Sequence, residues 1–337
     1  MIISKTPFRI SFFGGGTDFP LWYSENGGAV LSTTIDKYCY INCRYLPPVF
    51  DYKYRIRYTL QEEVRRLDEI KHPSVRETIR YLQIPHSLEI QHNADVPANS
   101  GLGSSSSFTV GLCNALNGLT GNLSNVDVLA RAAIEIEQDH IKECVGSQDQ
   151  MAAAHGGFNR IDFGPGDIIR VCPITLSNSS IHELENHLAL FFTGFQRYSS
   201  DIAQDQLKRI DDSRPSLRTM TELLEEAYSL LGSSRRDWIE FGRLLDEQWK
   251  LKQSLSPRIS NETIDRIYDT AKVAGAIGGK LLGAGGGGFF LFLIEPEKRQ
   301  ALSQALKGLA QVPFGFSKTG SEIIYYTPSE PYELNGE

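Results

Sequence analysis

Three stretches near the start of the chain, 2-IISKTPFRISFF-13, 29-AVLSTTI-35 and 38-YCYINCRY-45, are dense in β-branched and aromatic residues. Such side chains fit a pleated, half-buried surface, so the pattern predicts strands, with 14-GGGTD-18 as a turn between the first two. Over residues 61–83 and 125–145 the apolar positions recur every three or four residues, as in Val128, Leu129, Ala132, Ala133 and Ile136. That period predicts two amphipathic helices. Between them 87-SLEIQHNA-94 reads as a strand running into a loop of glycines and serines. From Ile181 to about Ala274 the pattern is mostly helical, then 289-FFLFLI-294 reads as a buried strand and 297-EKRQALSQALKGL-309 as a helix. The polar, proline-containing stretch 173-PITLSNSSI-181 is where a domain boundary is expected, giving domains 1–180 and 181–337.

Length supports that division, since 337 residues exceed one ordinary core. No apolar run approaches a bilayer's thickness and the N-terminus lacks the pattern of a signal peptide, so a soluble, cytoplasmic chain without a membrane partner is expected. Five cysteines without CxxC spacing argue against a disulfide framework or a zinc site, and all five are expected to be buried thiols. The seven histidines show no ligand spacing either. A net charge of -7 argues against nucleic acid as a partner, so any phosphate must be bound locally. Nothing marks a dimer surface apart from core, which leaves a homo-oligomer open.

The loop 97-PANSGLGSSSSFTVGL-112 is where such binding would occur. A strand, a glycine turn and a helix beginning near Ser104 gather backbone N–H groups and the positive end of a helix dipole at one point. Gly101 and Gly103 let the backbone approach an anion, and Ser104 to Ser107 add hydroxyls for phosphate oxygens or Mg²⁺. The loop lacks the Walker A lysine and GxGxxG spacing, so neither a P-loop NTPase nor a dinucleotide fold is indicated. Alone, it leaves a polar linker or a simple helix N-cap as the alternative.

Two further glycine segments, 5-KTPFRISFFGGGTD-18 and 280-KLLGAGGGGFFLF-292, change that balance. In this order the three segments resemble the three signature motifs of the GHMP kinase superfamily, over residues 3–325. The GGGTD form, with 28-GAVLSTTIDKYCY-40 and 146-GSQDQMAAAHGGFN-159, resembles in particular the bacterial D-glycero-D-manno-heptose 7-phosphate kinases, with fucokinases nearby. The resemblance implies an α/β (α+β) protein in two domains, the first like the second domain of ribosomal protein S5 and the second ferredoxin-like, with the active site between them.

It also implies roles. The second motif would wrap the ATP phosphates through Pro97, Asn99, Ser100, Gly101, Leu102, Gly103, Ser104, Ser105 and Ser106, and Ser105 with Glu137 would hold Mg²⁺. Glu137 is preferred to Glu135 because it borders the apolar face. Asp149 would be the general base, its alternative being a cap of the helix that follows, and Arg9 would help neutralise the transferring phosphoryl group. Asp18, with Gly16 and Thr17, would bind sugar hydroxyls, and Gly285 of the third motif would pack near the substrate. Arg197, with Ser199 and Ser200, would grip a second phosphate on the acceptor. The implied reaction is ATP-dependent phosphorylation of the C1 hydroxyl of D-glycero-D-manno-heptose 7-phosphate to the 1,7-bisphosphate, on the way to nucleotide-activated heptose for polysaccharide. A fucokinase-like or other free-sugar 1-kinase shares all three motifs. A catalytically weak binding relative is disfavoured by the presence of Asp149, Glu137, Ser105 and Arg9.

Overall fold

A computed structural model describes residues 1–195, 199–234 and 236–332. In chain order the elements are β1 (Ile2–Phe13), α1 (Pro20–Asn26), β2 (Gly28–Tyr45), β3 (Tyr54–Arg57), β4 (Gln61–Val64), α2 (Pro73–Tyr81), β5 (Leu88–Ala94) and α3 (Ser104–Thr120). There follow α4 (Val126–Glu135), a π-helical turn (Ile136–His140), α5 (Gln148–His155), β6 (Phe158–Gly164), β7 (Ile168–Pro173), α6 (Asn178–His187) and β8 (Leu188–Phe192). The remainder comprises α7 (Ser199–Lys208), α8 (Arg214–Gly232), α9 (Trp238–Ser254), α10 (Glu262–Val273), β9 (Gly278–Leu281), β10 (Phe289–Leu293), α11 (Arg299–Ala305), β11 (Ala310–Gln311), β12 (Phe316–Ser317) and β13 (Glu322–Tyr326).

The long strand β2 organises the first sheet. One of its edges pairs with β1 along nearly its whole length, while the other takes β6 at residues 28–33, β12 at 34–35 and β5 at 39–45. β13 closes the far side of β1, so residues 316–326 return to the first sheet from beyond the expected division near 180. The second sheet is four-stranded and antiparallel, in the order β11-β8-β10-β9. Helix α3 lies on β1 and β2, and α9 packs on β9.

Several elements differ from the periodicity. The helix expected over 61–83 begins only at Pro73, because residues 61–64 pair with β3 as a strand. Glu62 there is 7% exposed and accepts the backbone N–H groups of Lys71 and His72 together with the Tyr58 hydroxyl. These partners are brought to it by folding. Helix α4 stops at Glu135, and Val128, placed on the apolar face by spacing, is 53% exposed. The turn after Phe13 leads into α1, started by Pro20 at its first turn where a missing N–H costs nothing. The two strands expected over 29–45 are one, with a register shift opposite Pro7, and the region expected to be mostly helical contains β8. Cys39, Cys43 and Cys113 are buried as expected, but Cys144 and Cys172 are only partly so. No described helix is long and apolar enough to cross a membrane.

Candidate active site

The chemistry converges where the loop before α3 meets the loop between β9 and β10. Gly101 adopts φ 84° and Gly283 φ 73°, and the two backbones lie in contact: a Cβ on Gly283 would stand 2.5 Å from Gly101 Cα. Only glycine permits that approach at positive φ. Ser100 extends the contact, its carbonyl accepting the N–H of Phe289 at 3.0 Å. Gly101→Ala would place a methyl group 2.4 Å from the Leu282 carbonyl. We expect about 1 to 3 kcal/mol lower stability in urea unfolding and roughly tenfold weaker MgATP binding by calorimetry, because the two loops must separate.

Against this junction stands an ion pair. Arg9, on β1 and 4% exposed, donates from Nε to Asp149 Oδ1 at 2.7 Å and from Nη2 to Oδ2 at 2.8 Å, while Nη1 donates to the Gly101 carbonyl at 2.6 Å. The pair is thus bidentate, the strong geometry for guanidinium and carboxylate. Asp149 lies in the first turn of α5, whose N-cap residue is Ser147, and both its carboxylate oxygens are taken up by Arg9. Gly103 brings the serine loop alongside, since a Cβ on it would lie 3.3 Å from Asp149 Oδ2.

Asp18 faces the same cleft from the first glycine turn. Its Oδ1 accepts the Gly16 N–H at 2.9 Å and its Oδ2 the Gln148 side-chain amide at 2.9 Å. Burial raises its pKa, partly offset by the Gly16 hydrogen bond and reinforced by Asp149. Gly146 completes this wall, because a Cβ there would fall 1.9 Å from Asp18 Oδ2. Gly16 and Gly285 also line the cleft. Thr17 does not: it is fully buried, and its hydroxyl donates to the Gly14 and Ala29 carbonyls to hold the turn.

Of the residues expected at the nucleotide, Asn99, Gly101, Gly103, Ser104, Ser105 and Ser106 line the cleft. Pro97 is exposed outside it, and the Ser100 and Leu102 side chains are fully buried, Leu102 lending its carbonyl to the Arg9 N–H. Glu137 is fully buried behind the cleft lining, whereas Glu135 is exposed and accepts the Tyr81 hydroxyl. The expected straight helix is replaced by the π-helical turn, which re-aims Glu137 toward α3. The hydroxyl that meets it belongs to Ser106, at 2.8 Å, rather than Ser105. Adjacent helical residues diverge by about 100°, so Ser105 turns into the open cleft as Ser106 turns inward. Gln150 donates to the same Glu137 oxygen at 2.5 Å; the other oxygen, Oε1, is buried with no hydrogen-bond partner among the described residues, and burial pushes the carboxyl up to about 7 against the opposing pull of the Thr109, Ser106 and Gln150 side chains. An orphaned carboxylate oxygen beside serine hydroxyls fits a hard divalent cation.

Two cations complete the cleft that the motifs did not single out, Lys252 on α9 and Lys280 on β9. A lysine in the apolar series Phe241, Leu245, Trp249, Lys252 was the available signal for the first; the second stands at the head of the third glycine segment, and only the fold shows that its strand is buried. Gln148 was legible only as a neighbour of Asp149. Arg197 lies outside the described residues.

Family models for the GHMP kinases N terminal domain and the GHMP kinases C terminal match residues 71–157 and 220–310. The D-glycero-alpha-D-manno-heptose 7-phosphate kinase of Campylobacter jejuni is 32% identical, covering 95% of this chain and 97% of its own. A bifunctional fucokinase/GDP-fucose pyrophosphorylase of Arabidopsis thaliana is 28% identical over 91% of this chain, which spans 31% of that longer protein. Among solved structures, a D-glycero-D-manno-heptose 1-phosphate kinase from Bacteroides thetaiotaomicron superposes with a TM-score of 0.80 at 25% identity, covering 96% of this chain and 99% of that one. The chain therefore belongs to the GHMP kinases and has their two-domain fold. Within that class it is an ATP-dependent sugar kinase.

Proposed function

We propose that the protein transfers the γ-phosphoryl group of ATP to the C1 hydroxyl of D-glycero-D-manno-heptose 7-phosphate, giving the 1,7-bisphosphate. The observation that carries the reading is the bidentate Arg9–Asp149 pair standing between the serine loop and Asp18. Phosphoryl transfer asks a protein for positioning, for neutralisation of developing charge and for a proton acceptor at the attacking hydroxyl, and this arrangement offers all three. The serine loop and the start of α3 hold the polyphosphate. Asp18 and Gln148 orient the sugar through hydroxyl hydrogen bonds, and Asp149 takes the proton of the C1 hydroxyl as its oxygen attacks the phosphorus in line with the departing ADP oxygen. Arg9 fixes the carboxylate and lends positive charge to the transferring group. Glu137, with Ser105 and Ser106, would hold Mg²⁺, which when bound neutralises phosphate charge.

Support for the acceptor comes from relatives rather than from geometry. The Campylobacter protein is named for a heptose 7-phosphate and the Bacteroides structure for a heptose 1-phosphate, so a heptose monophosphate is common to both names. The fucokinase likeness supports a second reading, a free-sugar 1-kinase. ADP release with MgATP and a panel of D-manno-heptose 7-phosphate, D-manno-heptose 1-phosphate, unphosphorylated D-manno-heptose, L-fucose and galactose separates them. Turnover confined to the 7-phosphate is expected. Preference for the 1-phosphate would move the attacking hydroxyl away from C1, and preference for an unphosphorylated sugar would favour the second reading.

A further inference from the structure

Lys252 belongs to none of the three glycine motifs, yet its ammonium lies at their junction. The residue is 6% exposed, lines the cleft and donates to the Gly283 carbonyl. Gly283 is the residue whose backbone touches Gly101 of the serine loop, and Arg9 Nη1 holds the Gly101 carbonyl at 2.6 Å. Lys252 and Arg9 therefore bracket the contact between the two phosphate-side loops.

Arg9 and Asp18 have partners that Lys252 lacks. Arg9 is spent on Asp149 and Gly101, and Asp18 is held by Gly16 and Gln148. Lys280 sits deeper, 2% exposed, and donates to the Phe12 carbonyl at 2.9 Å. Among the described residues Lys252 forms no ion pair, and Gly283 O is its one hydrogen-bond acceptor. An ammonium has three donors, so two remain, and a buried cation left without a counter-ion is costly to retain.

We propose that Lys252 is a phosphoryl-binding residue of this cleft, its ammonium holding a non-bridging phosphoryl oxygen between the serine loop and the third glycine turn. The inference rests on the kinase reading and deepens it. That oxygen is carried either by the γ-phosphoryl group of ATP or by the phosphate of the acceptor. The electrostatics agree: burial and the nearby Arg9 pull Lys252 down to about 8, against the opposing pull of Asp18 and Asp149. Lys280 is pulled down by burial, by Lys252 and by Arg9. A phosphoryl anion entering the cleft would offset this repulsion for both.

The test uses the full chain with Lys252→Met, which removes the charge at similar length, and Lys252→Arg, which keeps it. The Met variant should unfold at a temperature equal to or above wild type, since it no longer buries an uncompensated cation. Calorimetry with Mg²⁺ then compares ADP with a non-hydrolysable ATP analogue, and steady-state rates compare heptose 7-phosphate with unphosphorylated heptose. If the oxygen belongs to the γ-phosphoryl group, Lys252→Met weakens the analogue at least about tenfold, changes ADP by less than about threefold, and lowers kcat on both acceptors. If it belongs to the acceptor, nucleotide binding is unchanged and KM rises about tenfold or more for the 7-phosphate alone. Either result supports the assignment, and Lys252→Arg should recover part of the loss. A folded Lys252→Met protein with all these quantities within about threefold of wild type overturns it. Wild type that binds nucleotide but phosphorylates no sugar in the panel would instead count against the proposed reaction; weaker analogue binding by Lys252→Met would then still support the assignment, and unchanged analogue binding would overturn it.

Discussion

Asp149→Asn should lower kcat by roughly 10² to 10⁴-fold while leaving MgATP affinity within a few-fold of wild type. A hundredfold loss already corresponds to about 2.7 kcal/mol of transition-state stabilisation. The expectation follows from where the carboxylate is. Both its oxygens are fixed by Arg9, and a Cβ on Gly103 would lie 3.3 Å from Oδ2, so the group stands beside the loop assigned to the phosphates without being part of it. Asparagine keeps the shape but cannot accept a proton from the attacking hydroxyl. Single-turnover ADP formation together with calorimetric nucleotide binding checks both halves. A variant retaining more than about a tenth of wild-type kcat would sink the general-base role.

Removing the partner should be more damaging to the fold. Arg9→Met leaves the Asp149 carboxylate and the Gly101 carbonyl without the three hydrogen bonds that Arg9 supplies. Breaking a largely buried pair from one side costs about 3 kcal/mol, and we expect that loss in urea unfolding together with a fall in kcat/KM of at least about 10³-fold. The double variant Arg9→Met, Asp149→Leu separates the two effects. It should regain most of the stability, because no uncompensated charge remains, yet stay inactive. If activity returned with stability, the pair would be structural and the site would have to be sought elsewhere.

The fold was legible where local chemistry repeats. Density of β-branched, aromatic and other apolar residues marked β1, β2, β5 and β10, and the glycine runs at 14–16, 101–103 and 283–288 marked the turns. It was illegible where a partner distant in sequence decides the local state. Strand β4 exists because β3 pairs with it and because Glu62 finds donors in Lys71 and His72; β8 exists because β10 and β11 flank it. The strands β12 and β13 could not be foreseen in the first sheet, since pairing between Ile2 and Tyr326 is a property of the closed chain.

For the site, the glycines and the helix start near Ser104 marked the serine loop as a candidate anion site, whereas Arg9, Asp18, Asp149 and Glu137 were singled out through the resemblance of their segments to the GHMP kinase motifs. The folded chain decided the rest. It turned Thr17 into a support for the first glycine turn and put Ser106 instead of Ser105 on Glu137 through the 100° step of a helix. It also carried Lys252 and Lys280 from helix α9 and strand β9 into a cleft shared with β1 and α5. A lysine in a buried stripe reads from sequence as an anomaly. Only the backbone contact between Gly101 and Gly283 shows what that charge is next to, and the proposed phosphoryl contact rests on it.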